Sequence, residues 1–158
     1  MTDSDVRWVI EARPWGDPAG AALRKEQRVE LDARYGSDDH EPGPLPTAAD
    51  IDHFLIAVDP VSGVTLGCGA LRQLDGTSAE VKRMYVVPHA RGTGVATAVL
   101  RALEVAAVER GWTTIRLETG TAQPDAQRFY EREGYARIPL FGVYIGSPVS
   151  ICYERALI

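Results

Sequence analysis

Cysteine, histidine and long apolar runs are all scarce in this sequence. Two cysteines and three histidines among 158 residues leave no Cys-x-x-Cys motif and no His/Cys cluster, so we expect no metal site. Both cysteines lie within apolar runs, which favours buried, reduced thiols. No segment approaches the roughly 18 apolar residues that a membrane span requires, and MTDSDVRWVI lacks the apolar stretch of a secretory signal. These absences predict a cytoplasmic protein without membrane contact.

Positive charge is also in short supply. Lys and Arg number 17 against 22 Asp and Glu, which gives a net charge of −5. The basic residues are scattered, whereas nucleic-acid binding requires a basic face, so we expect no nucleic-acid partner. The acidic balance is compatible with a cationic small molecule. The length suits one compact domain, and we predict a single domain over residues 1–158.

Apolar periodicity predicts seven strands and three helices. A first strand is expected over residues 6–12, and a helix from Pro18 to about Tyr35 follows it, with Asp17 as its N-cap and Gly36 as its stop. An acidic, proline-rich loop at residues 37–50 reads equally as a linker or as the wall of a site. The other strands are expected in HFLIAVD, VTLGCGALRQL, AEVKRMYVV, TTIRLET, YARIPL and VSICYERAL, and the other helices over residues 92–110 and in QPDAQRFYEREG. This order indicates an α+β fold, in which helices cover both faces of a mixed sheet.

The short segment RGTG stands between a predicted strand and a predicted helix. Gly92 and Gly94 permit positive φ angles and close approach of a ligand to the backbone, and the helix start offers unpaired N–H groups. Such a turn typically binds phosphate, although a plain strand-to-helix turn is an equal alternative. A P-loop is excluded because Val95 and Ala96 stand where Lys and Ser or Thr are required. A dinucleotide-binding turn fits poorly, because Thr97 replaces the third glycine and a meander precedes it.

The wider context favours a third kind of phosphate site. VKRMYVVPHARGTGVATAVLRALEVAAVERG resembles the acyl-CoA motif of the GNAT N-acetyltransferase superfamily, Arg/Gln-x-x-Gly-x-Gly/Ala, through Arg91, Gly94 and Ala96. QRFYEREGYARI resembles the later Ala-x-x-Phe/Leu-Tyr-x-x-x-Gly-Phe/Tyr segment of that family. The resemblance covers roughly residues 56–155, and KRMYV, RGTGVA, LETGT and FYEREGY together resemble a bacterial subgroup. It implies a mostly antiparallel, centrally splayed sheet with helices on both faces.

The resemblance also implies a cosubstrate, acetyl-CoA, and no metal. The pyrophosphate would bind the turn, and the pantetheine arm would pair with the preceding strand like an added strand. Gln123 stands where many members have an asparagine that contacts the coenzyme. The residues implied to bind acetyl-CoA are Met84, Tyr85, Val86, Arg91, Gly92, Thr93, Gly94, Val95, Ala96 and Gln123.

For catalysis, the resemblance implies direct attack of an amine on the thioester. Tyr130 matches the family's tyrosine that protonates the leaving thiolate, although a purely structural role in packing on the core is the alternative. Glu80 is a candidate base, because two-residue alternation predicts that it shares a strand face with Met84. A Glu80–Lys82 ion pair is the plain alternative, and Glu118 or ordered water could serve as the base instead.

The sequence says least about the identity of the acceptor. We expect a small-molecule amine; a protein lysine, or acyl-CoA binding without catalysis, are alternatives. The predicted walls are the first helix, the loop 37–50 and the loop 139–150, which holds Phe141 and Tyr144. Arg83 could bind a substrate carboxylate or serve as a structural ion-pair partner. Dimers are common in the family, which favours a homodimer.

Overall fold

Seven strands form one sheet in a computed structural model that describes residues 8–158. The strands are β1 (Val9–Ala12), β2 (His53–Val58), β3 (Thr65–Gln73), β4 (Ser78–Val86), β5 (Thr114–Gly120), β6 (Ala136–Ile138) and β7 (Ser150–Ala156). Their order across the sheet is β1-β2-β3-β4-β5-β7-β6, and every neighbouring pair is antiparallel except β4 and β5. The predicted first strand began at residue 6, and its residues 6 and 7 lie outside the described residues.

Three α-helices lie within the described part of the chain, and the ends of the first follow the capping residues that the sequence predicts. The helices are α1 (Pro18–Tyr35), α2 (Val95–Glu109) and α3 (Pro124–Arg132). The Asp17 carboxylate accepts a hydrogen bond from the Gly20 N–H at 3.1 Å, and Gly36 ends α1 in the left-handed conformation. No helix within residues 8–158 is long and apolar enough to cross a membrane.

Helices α1 and α2 cover opposite faces of the sheet. Gly20 of α1 packs so closely on the Phe54 ring of β2 that a Cβ there would collide with it. On the other face, a Cβ at Gly69 of β3 would lie 2.9 Å from the side chains of Val99 and Leu103 of α2. The predicted mixed sheet with helices on both faces is therefore confirmed.

The sheet opens in its middle, between β4 and β5. These parallel strands pair only from Ser78 to Val81 on β4, opposite Thr114 to Leu117 on β5. Strand β5 continues against β7 as far as Gly120, whereas β4 turns away along β3. Beyond Val81 the facing backbone edges are consequently unpaired with each other, which confirms the predicted central splay.

A β-bulge lies on β4 at the point where the strands separate. Cys68 is opposite Tyr85 and Ala70 is opposite Lys82, so β4 has one more residue than β3 over this interval. Arg83 within the bulge has a φ of 58°, a left-handed conformation that is uncommon for a side chain of this size. An inserted residue reverses the side-chain alternation of the strand beyond it.

The bulge overturns one prediction. Two-residue alternation placed Glu80 and Met84 on one face of the strand, and that prediction is wrong. The Met84 sulfur lies beside Gly69 and the side chain of Leu103, on the α2 face, whereas the Glu80 carboxylate bonds Tyr144 on the other side. The extra residue at Arg83 is the physical reason.

Candidate active site

Two adjoining cavities occupy the opening between β4 and β5. The larger, which we call the outer groove, has a volume of about 420 Å³ and runs along the end of β4 to the start of α2. The smaller, the inner cavity, has a volume of about 100 Å³ and is bounded by α1, β4 and β5. Met84, Ala126 and Tyr130 line both cavities. These three residues therefore mark the place where the two spaces meet.

The glycine turn forms one end of the outer groove. Gly92 and Gly94 have φ angles of 78° and 101°, and no side chain caps the first turn of α2. The N–H groups of that turn and the positive end of the helix dipole therefore remain available to an anion. Five of the six predicted turn residues line the groove: Arg91, Gly92, Gly94, Val95 and Ala96.

Two predicted coenzyme contacts lie away from the outer groove. Thr93, the sixth turn residue, directs its hydroxyl inward and donates to the Ala90 carbonyl at 2.5 Å. Gln123 lines the inner cavity, where its side-chain nitrogen lies 3.4 Å from the Tyr35 hydroxyl. A role for Gln123 at the coenzyme stays a prediction.

The open edge of β4 presents the backbone of Met84 and Val86. The Met84 carbonyl accepts a hydrogen bond from Gln27 Nε2, and the Val86 carbonyl accepts one from Arg91 Nε, each at 2.9 Å. Strand pairing with β5 ended at Val81, so the N–H groups of Met84 and Val86 have no strand partner on this side. The backbone of Tyr85, one residue out of phase, faces its register partner on β3.

Tyr130 of α3 stands at the junction of the two cavities. Its ring packs among other aromatic rings, 5.9 Å from Tyr135 and 6.3 Å from Tyr153 between centroids, and only 7% of the residue is exposed. Burial, with the nearby Glu118 carboxylate, raises the pKa of the Tyr130 phenol above its ordinary value. The phenol therefore keeps its proton at neutral pH and can act as a donor.

Glu80 lies at the buried edge of the inner cavity with both oxygens occupied. Oε2 accepts a hydrogen bond from the Tyr144 hydroxyl at 2.6 Å and lies 3.6 Å from Lys82 Nζ. Oε1 accepts one from Arg72 at 2.7 Å. The Glu80–Lys82 pair anticipated as an alternative is present. A carboxylate already held by these donors is poorly placed to accept a further proton.

Glu118 of β5 also lines the inner cavity and has fewer partners. Ser150 Oγ donates to its carboxylate at 2.8 Å, and no ion pair to Glu118 occurs within residues 8–158. Burial raises the pKa of Glu118 to about 7, partly opposed by the Ser150 hydrogen bond. A carboxyl group with a pKa near neutrality matches the requirement for a general base at physiological pH.

The raised pKa of Glu118 predicts a specific effect on stability. The folded state binds the Glu118 proton more tightly than the unfolded state does. Proton binding therefore adds to the free energy of unfolding, fully below about pH 4.5, and this contribution is lost as the pH rises through about 7. The Glu118→Gln variant has no carboxyl group to titrate at this position, so it lacks this pH-dependent loss of stability. We expect the variant to gain roughly 2–3 kcal/mol relative to the parent between pH 5 and pH 8, since one pKa unit corresponds to 1.36 kcal/mol and some solvent contact remains. Urea denaturation across this range measures it.

The matched control is Glu109→Gln, at an exposed position near the end of α2. It should keep the pH dependence of the parent. Parallel stability curves for the parent and Glu118→Gln would show that the carboxyl group titrates alike in the folded and unfolded chain.

The sequence singled out neither Gln27 nor Glu41, and although it placed Tyr144 in a predicted wall, it gave no signal for the contact of Tyr144 with Glu80. Glu41, in the loop predicted as either linker or wall, lies 3.4 Å from Lys82 Nζ and 3.1 Å from Arg83 Nη2, so this loop is a wall. Gln27 reaches Met84 across 57 positions, and Tyr144 reaches Glu80 across 64. These residues come together only because α1 and two loops pack on the sheet. Periodicity within a single helix or strand does not predict such packing.

Among residues 8–158, no group of three or more His, Cys, Asp or Glu side chains is placed to hold a metal ion. Cys68 and Cys152 are free and buried. The polar groups that face the junction include the Tyr130 hydroxyl, the Glu118 carboxyl group and the backbone N–H groups of β4.

Known proteins resemble this chain along most of its length. The model of the Acetyltransferase (GNAT) family matches residues 20–135. An IAA acetyltransferase of Azospirillum brasilense is 37% identical over 97 residues, which are 61% of this chain and 63% of that protein. The chain thus spans less than two thirds of the length of that curated relative.

Solved structures share the fold. A Klebsiella pneumoniae protein assigned as an acyl-CoA N-acyltransferase is 32% identical, with a TM-score of 0.79 over 96% of this chain and 98% of the other. A GNAT family acetyltransferase of Elizabethkingia anophelis, solved with acetyl-CoA bound, has a TM-score of 0.69 at 16% identity over 96% of this chain and 99% of the other. The second likeness concerns the fold alone.

Proposed function

Because this chain belongs to the acetyltransferase (GNAT) family, we propose that it transfers an acetyl group from acetyl-CoA to the primary amine of a small-molecule acceptor. The observation that carries this proposal is the position of Tyr130, which lines both the outer groove and the inner cavity. The departing thiolate would form at that junction, which is where it needs a proton donor. The enclosure of the inner cavity by Glu41 and Tyr144 favours a small acceptor over a protein lysine.

Acetyl-CoA would occupy the outer groove in an extended form. The N–H groups from Gly92 to Ala96, at the turn and the start of α2, suit its pyrophosphate. The N–H groups of Met84 and Val86 suit the pantetheine amides and the thioester carbonyl, because they face the groove without a strand partner. A backbone donor at the thioester would stabilise the oxyanion that develops there, an effect worth about 2.7–4 kcal/mol in other enzymes.

The reaction would proceed by direct attack. The amine nitrogen forms a bond to the thioester carbonyl carbon as the Glu118 carboxylate takes its proton, directly or through one water. The carbon–sulfur bond then breaks, and Tyr130 gives its proton to the sulfur. Solvent returns a proton to Tyr130 and removes one from Glu118. A catalytic role for Glu80 stays a prediction, and its occupied oxygens favour a positioning role through Tyr144.

Placement of the pyrophosphate at the glycine turn predicts the effect of adding one methyl group. Gly92→Ala should weaken acetyl-CoA binding about tenfold, because a Cβ at a φ of 78° strains the turn and displaces N–H donors that contact a charged ligand. Isothermal titration calorimetry with acetyl-CoA measures the change in Kd.

Gly63→Ala is the matched control, in the turn between β2 and β3. Gly63 has a φ of 76°, and a Cβ at either glycine meets no heavy atom within 4 Å. Both variants should therefore lose similar unfolding free energy, and only Gly92→Ala should lose affinity. Equal affinities in the two variants would place the pyrophosphate elsewhere.

The proposed reaction is tested by release of free thiol from acetyl-CoA in the presence of mixed small amines. We expect release that depends on an added amine, with the acetylated amine detected by mass spectrometry. Acetyl-CoA binding with no transfer to any amine or lysine peptide would identify an acyl-CoA-binding module instead. Transfer to lysine peptides alone would identify a protein acetyltransferase.

A further inference from the structure

Arg83 is a buried cation at the edge of the inner cavity. Its side chain is only 6% exposed, and its one ion pair within residues 8–158 joins Nη2 to Glu41 Oε1 at 3.1 Å. A guanidinium carries five N–H donors in a planar fork, so this contact leaves donors that can reach the cavity that Arg83 lines. The bulge places Arg83 beside Lys82, and both reach the same carboxylate of Glu41.

These two residues share their carboxylates with each other and with a third cation. Three cations, Arg72, Lys82 and Arg83, share two carboxylates, Glu80 and Glu41, through ion pairs of 2.7 to 3.6 Å. Arg72 lies outside the cavity lining and takes one oxygen of Glu80, so the cations that face the cavity are Lys82 and Arg83, and Arg83 depends on a carboxylate that it shares with Lys82. A buried charge is costly unless it is well paired, and a ligand carboxylate would give Arg83 a partner of its own.

The opposite wall of the cavity carries an acid instead. Glu118 on β5 contacts Ser150, and within residues 8–158 it makes no ion pair. The inner cavity therefore presents two cations on β4, Lys82 and Arg83, and a carboxyl group without an ion-pair partner on β5, across a space of about 100 Å³. That volume exceeds what a single water needs several-fold, and it suits the head group of a small molecule.

We infer that the acceptor is an amino acid or a close analogue, whose carboxylate binds Arg83 beside Lys82 while its amine faces Glu118. The inference rests on the proposed acetyl transfer and names its substrate class. An α-amino acid carries the two groups next to each other, as the cavity requires. The planar fork of N–H donors on the Arg83 guanidinium matches the geometry of the acceptor carboxylate and would bind it.

The rim of the cavity indicates what the rest of the acceptor would be. Glu41 and Tyr144 belong to two loops that touch each other, with Gly43 against the Val143 side chain. Exposed apolar side chains lie on these same loops, at Leu45, Val143 and Ile145. Leucine combines an amine, a carboxylate and one apolar side chain compatible with such loops, so it is the probe of choice.

The test compares leucine with 3-methylbutylamine, which is leucine without its carboxylate. In the thiol-release assay we expect kcat/KM for leucine to exceed that for the amine about 10- to 100-fold, the range of charge-assisted hydrogen bonds to a buried arginine. Arg83→Gln should remove most of this preference by lowering kcat/KM for leucine and changing that for the amine little. Arg72→Gln, which removes a cation of the same network outside the cavity lining, should retain the preference.

Each outcome separates the inference from the reaction on which it rests. Equal use of the two acceptors, or a preference for 3-methylbutylamine, would overturn the inference and leave acetyl transfer intact. If neither is acetylated, calorimetry of leucine against the CoA-bound parent protein decides, without any variant. Leucine binding that 3-methylbutylamine does not reproduce would support the carboxylate site although neither probe was acetylated. No leucine binding would overturn the inference, and the mixed-amine assay would then decide on acetyl transfer separately.

Discussion

Tyr130→Phe should lower kcat about 100-fold while leaving the Kd for acetyl-CoA within a factor of about two, because general-acid effects fall in the range of 10²–10⁴. The variant loses only the hydroxyl, so the ring packing against Tyr135 and Tyr153 is retained. The thiolate would then leave without a positioned proton donor. Steady-state kinetics with saturating acetyl-CoA, together with calorimetry, measure the two quantities.

Tyr153→Phe is the matched control for this variant. Tyr153 is an equally buried tyrosine that packs against Tyr130, but its hydroxyl donates to Glu131 at 2.7 Å and lines neither cavity. This variant should lose some stability and keep its kcat. An unchanged kcat in Tyr130→Phe would remove Tyr130 from the mechanism and leave it as a core residue.

Glu118→Gln should lower kcat/KM about 100-fold at pH 8, since the amide cannot accept the proton of the amine. In the parent protein, activity should rise with pH through about 7, because burial raises the pKa of Glu118 to about 7 and only its ionised form acts as a base. Three other charged groups influence this titration: Glu41 and Glu80 raise the pKa, and Lys82 lowers it. A pH profile from 5.5 to 8.5 measures the rise, which the variant should lack.

The comparison variant here is Glu80→Gln. If Glu118 is the base, Glu80→Gln should lower activity and still show the rise, shifted to lower pH because Glu80 no longer raises the pKa of Glu118. The rise would persist in Glu118→Gln and vanish in Glu80→Gln if Glu80 were the base instead. That result would restore the role that the sequence suggested for Glu80 and would contradict the proton transfer assigned to Glu118.

Much of the fold follows from signals that lie close together in the chain. Asp17 and Gly36 mark the ends of α1 because capping depends on a few neighbouring residues. The glycine turn was recognisable for the same reason, since positive φ at Gly92 and Gly94 is a local requirement. Tyr130 is a candidate through the resemblance of QRFYEREGYARI to a family segment, and this segment is also short and continuous in the chain.

The geometry of the inner cavity depends on distant contacts and could not be predicted in the same way. The bulge at Arg83 arises from the register between β3 and β4, which alternation along β4 alone does not contain. It reversed the expected face of Met84 and placed Arg83 beside Lys82. Glu80 was selected from the sequence as a base, yet the hydroxyl of Tyr144, 64 positions away, occupies its carboxylate.

In the proposed complex, acetyl-CoA occupies the opening between β4 and β5 in an extended form. A crystal structure of the protein with acetyl-CoA would reveal the position of the ligand. We expect diphosphate oxygens within hydrogen-bond distance of the N–H groups at the start of α2, and a thioester sulfur near the Tyr130 hydroxyl. Density for the ligand at any other surface, with this opening filled only by water, would contradict this expectation.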